Sequence, residues 1–149
     1  MIAWKYIDKT TATIAAIRDY NNMAAIIGYT SDAVKDIHER MTAPRTAHIS
    51  ETPTAHSPRS GEDKLVAQID TINMLGERYN TATEYMTWFM PAWETLTEQE
   101  RSILEEYYVA GSLRDGTRGR LANELNYSER HIDRLRGEAL RRLTLLLFG

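Results

Sequence analysis

The sequence predicts an all-α protein: a long antiparallel, coiled-coil-like helical hairpin over roughly residues 1–90, followed by a helix-turn-helix module over roughly 91–149. Three observations predict it. Apolar side chains recur at helical spacing through two long stretches that contain no proline. A segment rich in Pro, Ser and Thr separates those stretches. The C-terminal segment then spaces a small residue, a turn residue and two apolar anchors as a helix-turn-helix does.

Composition limits the chemistry. The 149 residues suffice for one medium domain or two small helical modules, and the mix of 42% apolar with 26% charged residues is that of a globular chain. Without cysteine there is no disulfide framework, thiolate zinc site, iron–sulfur cluster or thiol nucleophile. The apolar runs Met23–Ile27 and Leu145–Phe148 are too short to span a membrane, and no signal-peptide pattern opens the chain, so a cytoplasmic protein with no membrane partner is expected. A net charge of −3 speaks against indiscriminate coating of nucleic acid. The charge is unevenly spread: residues 1–111 carry 10 Lys and Arg against 16 Asp and Glu, whereas residues 112–149 carry eight Arg against five acids. Guanidinium forks suit phosphates and guanine edges better than ammonium groups do.

The first helix is predicted from about Thr10 to Met41, where Tyr20, Ile27, Val34 and Met41 recur every seven residues. Residues 42–61, with Pro44, Pro53 and Pro58 and few large apolar side chains, read as a flexible linker. A second helix is predicted from about Glu62 to Met90, with Leu65, Ile72, Tyr79 and Met86 in one register and Ile69, Leu75, Ala82 and Phe89 widening the stripe. The Met and aromatic side chains of both stripes are expected in the core. The two faces pack on each other as a hairpin or pair between chains in a homodimer, and the sequence does not choose.

Pro91 is expected to stop the second helix, with Trp88, Phe89 and Trp93 joining the hairpin to the next module. Thr97-Glu98-Gln99-Glu100 spells a capping box for a helix carrying Ile103, Leu104, Tyr107 and Tyr108 and ending near Ala110-Gly111. In Leu121–Leu143, Ala122 marks a helix crossing, Leu121 and Leu125 an inner face, and Asn126 a turn that accepts left-handed backbone. Ser128 then caps a second helix, buried through Ile132, Leu135, Ala139 and Leu143. At about 100° per residue, Arg130, Arg134, Gly137 and Arg141 fall opposite Ile132.

That face could read DNA. Arg130 and Arg134 lead the candidates for base contacts, with Glu129, His131 and Asp133 in the same two turns. Arg114, Arg118, Arg120, Arg136, Arg141, Arg142 and Ser128 are the candidates for phosphates. The competing reading is a solvated face of Arg–Glu and Arg–Asp pairs, which charge alone would favour and the motif spacing does not.

The segments LTEQERSILEEYY (Leu96–Tyr108) and LANELNYSERHIDRLRGEALRRL (Leu121–Leu143) resemble region 4 of bacterial sigma factors. The likeness is closer to phage-encoded sigma-like regulators of the RinA and ArpU kind. In that group a long helix, a Ser/Thr/Pro-rich gap and a helix opening with an Asp-Lys pair, similar to Asp63-Lys64, precede the sigma-like part. The resemblance implies activation of phage late genes in a bacterial host and contact with host RNA polymerase. One departure is the segment after the Tyr108-to-Gly111 turn: Gly111–Gly119 is longer and richer in Gly and Arg than the family's usual connection. It is either an added phosphate-contacting loop or an insertion.

Other signals fall away. Gly111–Thr117 has the glycine spacing of a P-loop but no following Lys, and His38-Glu39 does not continue into a zinc-protease motif. His48 and His56 lie in the linker, and the Asn126-Tyr127-Ser128 sequon would not meet glycosylation machinery in a cytoplasm. No acid pair invites general acid–base work, so no enzyme, cofactor or metal is expected. Leu143–Phe148 either packs against the hairpin, the favoured reading, or forms an exposed patch for a partner subunit. Two other functions fit the same features: a phage DNA-packaging adaptor of the small-terminase kind, and a helical interaction or inhibitor module that has lost DNA binding.

Overall fold

The computed structural model describes residues 8–43, 59–110 and 116–149. The helices are α1 (Lys9–Thr42), α2 (Arg59–Thr95), α3 (Glu98–Glu105), α4 (Thr117–Leu125) and α5 (Glu129–Phe148), and α3 runs into a π-helical turn at Glu106–Ala110. The expected all-α hairpin and helix-turn-helix are therefore present. Most of the expected linker, residues 44–58, lies outside the described residues, and so do residues 111–115 of the glycine-rich connection.

Contacts divide the chain into two units: Ala24–Thr83, and the chain up to Met23 together with Glu84–Gly149. In the second of these, α1 starts on Asp8, whose carboxylate accepts from the Thr10 and Thr11 amides at 3.0 and 3.2 Å. The Thr11 hydroxyl, which donates to the same carboxylate, and the Thr11 amide hold the Asp8 carboxyl below its ordinary range. The first turns of α1 run antiparallel to the last turns of α2. Tyr85 donates to the Ala16 carbonyl, and Tyr20 lies against the rings of Phe89 and Trp93. Burial drives the Tyr85 hydroxyl well above its ordinary pKa. α5 closes this pair. Ala139, Leu140 and Leu143 join Ala16, Ile17, Phe89, Ala92, Trp93, Leu96 and Leu104 in one core.

Pro91 does not stop α2, which runs on to Thr95. Proline removes one amide and crowds the preceding turn. Here Phe89, Ala92 and Trp93 bury on both sides of it, and that packing outweighs the local cost. The tail divides between its two readings. Leu143 is fully buried, Leu147 packs on the core and Phe148 meets Trp88 edge-on at 5.6 Å, while Leu145 and Leu146 are exposed.

In Ala24–Thr83 the helices are again antiparallel. Thr30 and Val34 line a recess with Gly76 and Tyr79, and Ile37 lines one with Ala67, Gln68 and Thr71. The expected apolar stripe is only partly buried. Leu75 and Ala82 are covered, whereas Met41, Leu65, Ile69 and Tyr79 are exposed. Two helices cover only the strip between them, so side chains on the flanks of that strip stay in solvent.

Candidate nucleic-acid interface

The capping box forms as read. Thr97 Oγ1 accepts from the Glu100 amide, and Glu100 accepts from the Thr97 amide at 2.8 Å. Burial pushes the Glu100 carboxyl up, but the Thr97 amide and hydroxyl and the Arg142 charge more than offset this, leaving it below its ordinary range. The helix so started packs on α5.

α4 ends where the sequence placed its turn. Asn126 takes the left-handed conformation at φ 57°, and the Tyr127 amide donates to the Ala122 carbonyl at 2.9 Å. Two residues later the Ser128 hydroxyl accepts from the His131 amide at 3.2 Å and starts α5. Ala122, with Leu121, packs on Ile132, and Tyr107 and Leu125 close that small core. Its small side chain lets the two motif helices approach. Gly119, nearby, faces the Glu129 carboxylate. Along α5 the buried positions are Ile132, Ala139, Leu140 and Leu143. Leu135, expected in that stripe, is half-buried, and Leu140 takes the deeper place.

The arginines sort into two sets. Arg130, Arg134 and Arg141 stand exposed on the face opposite Ile132. Arg134 donates to His131 Nδ1 at 3.0 Å, with Glu138 at 3.8 Å on its other side. The Tyr127 ring meets His131 edge-on at 4.6 Å. Ser128, Arg130, His131, Asp133 and Arg134 together line one open depression at the start of α5. Among the described residues, neither Arg130 nor Arg141 has a hydrogen-bond or ion-pair partner.

Four other candidate arginines are engaged within the protein. Arg118 pairs with Glu129 at 2.8 Å and Asp133 at 3.1 Å. Arg120 pairs with Glu106. Arg136 lies 3.9 Å from Asp133 with its guanidinium 4.7 Å over the Tyr107 ring. Arg142 reaches Glu100 at 3.1 Å and the Thr95 carbonyl at 3.2 Å, satisfying the end of α2. Arg114 lies outside the described residues. Sequence spacing showed which helix face each arginine occupies. It did not show these partners, which, apart from Asp133 beside Arg136, come from other elements 11 to 47 positions away.

Residues 92–144 match the family described as Sigma-70, region 4. The end of α2 and α3 to α5 thus make a sigma region 4-like helix-turn-helix module, the class of module that the turn at Asn126 and the caps at Thr97 and Ser128 define. No curated protein and no solved structure matches the chain. Among the described residues no helix is long and apolar enough to cross a membrane.

Proposed function

We propose that this chain is a sequence-specific, double-stranded-DNA-binding transcriptional regulator, a phage late-gene activator that works with host RNA polymerase in the bacterial cytoplasm. One observation carries the DNA reading. The first turns of α5 present Arg130 and Arg134 opposite the buried Ile132, on a sigma region 4-like module whose turn and caps are formed. In this mechanism α5 enters the major groove and Arg130 and Arg134 donate to guanine edges. Arg141 and the Ser128 hydroxyl take phosphates, and α3 to α4 hold the reading helix at its angle. Each bidentate arginine–guanine pair would discriminate by about 1–3 kcal/mol. In the same reading a second copy of the chain covers Leu65, Ile69 and Tyr79 of the hairpin, making the regulator a dimer. No coenzyme enters the mechanism.

The test is selection of bound duplexes from a random or phage-genome library, run beside Arg130→Ala/Arg134→Ala. The wild type is expected to enrich one motif, to lose affinity steeply with salt, and to lose the motif in the variant. Absence of enrichment by the wild type at low salt would end the DNA reading.

A further inference from the structure

We propose that Asp133 is a positioning residue: with Glu129 it is gripped by Arg118 of α4, and this clamp sets the roll of α5 that aims Arg130 and Arg134. The assignment rests on the DNA-reading α5 proposed above.

Glu129 and Asp133 stand one turn apart on α5, on the flank that faces α4. At about 100° per residue, Asp133 lies about a quarter-turn from both Ile132 and Arg134, between the buried stripe and the reading face. A single guanidinium spans the two carboxylates, one nitrogen 2.8 Å from Glu129 and the other 3.1 Å from Asp133. A planar fork held at two points restrains rotation and sliding together, which a point charge would not. The remaining Asp133 oxygen faces Arg136, and Arg136 lies over Tyr107 in the turn before α4. The Glu129 carboxylate also comes 3.4 Å from where a side chain at Gly119 would begin, so the helices touch at the clamp itself. The apolar contact beside it is small, with Leu121, Ala122 and Ile132 as its buried members. Ala139, Leu140 and Leu143 anchor the far half of α5, and at its first turns, where the apolar contact is that small, polar side chains complete the setting of its roll.

The clamp also decides what the carboxylates do near DNA. Two unpaired acids in the first turns of a reading helix would repel phosphates. Arg118, with Arg136 on the other side of Asp133, balances the two charges, and one oxygen of each acid is held by Arg118 before any base arrives.

The experiment is a double-mutant cycle in the full-length chain, read as affinity for the selected duplex and as the selected motif. Asp133→Asn removes a negative charge from a surface facing a polyanion, so charge alone predicts tighter binding. The clamp predicts the opposite, a loss of roughly two- to fivefold, matching the strength of an exposed ion-pair network. Arg118→Gln is expected to lose a similar factor, and the double variant no more than the worse single, because one interaction is removed in each case. The slope of affinity against salt is expected to stay unchanged in Arg118→Gln and to fall by about 0.9 in Arg141→Gln, which removes a proposed phosphate contact. Tighter binding by Asp133→Asn, a change of preference confined to one motif position, or multiplied losses in the double variant would overturn the clamp. If the wild type selects no duplex, the DNA reading fails and the same cycle is read on the unfolding midpoint. Coupled losses then keep the clamp between α4 and α5, and additive ones remove it.

Discussion

In the unit that carries the helix-turn-helix, Ile17, Phe89, Leu104 and Leu143 are no more than 1% exposed and come from four different helices. In Ala24–Thr83 the buried side chains among the described residues are Thr30, Leu75 and Ala82, from two helices. Both units draw on the same two long helices with similar apolar periodicity. What separates them is a third element. α5 covers the seam between the first turns of α1 and the last turns of α2, so large side chains there are enclosed on every side. Two helices alone leave their outer flanks in water, and Leu65, Ile69 and Tyr79 remain exposed although they repeat with the period of a core. Periodicity marks a face that can be buried. A further helix, or a second chain, has to bury it.

The largest expected effect tests that contrast directly. Phe89→Ala, at a site enclosed by Ile17, Trp93 and Leu143, is expected to cost about 3–5 kcal/mol, and Leu75→Ala, where two helices can close up, about 2 kcal/mol. Denaturant melts followed by circular dichroism and by the fluorescence of Trp88 and Trp93 would measure both. Equal losses would remove the distinction between the units.

Next in size is the exposed flank of the hairpin. Ile69→Lys places a charge among Leu65, Ile69 and Tyr79, and the dimer reading predicts conversion to monomer in sedimentation equilibrium with helix content retained. A wild type that is already monomeric at high micromolar concentration would assign that flank to solvent or to another partner.

The smallest effect sharpens the better-packed unit. Because the folded Glu100 carboxyl sits below its ordinary 4.5, it stabilises the fold at pH values above 4.5. That contribution disappears as pH falls through the lower folded value. Unfolding midpoints between pH 7 and pH 3 are expected to drop less steeply for Glu100→Gln than for the wild type. Parallel curves would mean that Thr97 and Arg142 do not hold the anion.

The legible parts of the site were local ones. Thr97 with Glu100, Ser128 with the His131 amide, and the left-handed Asn126 each depend on residues within a turn of one another, so the spacing of types was enough. The face of α5 was legible for the same reason, since a helix repeats at a fixed angle and Ile132 locates Arg130, Arg134 and Arg141. The continuation of α2 through Pro91 was not legible, because Ala92 and Trp93 are anchored by α5, far along the chain. Nor was the division among the arginines. Arg118, Arg120 and Arg142 carry the same charge as Arg130, and only their neighbours separate them.

The sequence by itself determined the helices, their caps, the turn between the motif helices and the side of α5 that faces outward. Each is fixed by backbone geometry and near-neighbour hydrogen bonds. Tertiary structure decided which apolar positions became core and which charges were engaged within the protein. Burial and ion pairing need a partner surface, and the partners of Phe89, Arg118 and Arg142 are brought close only when the helices pack.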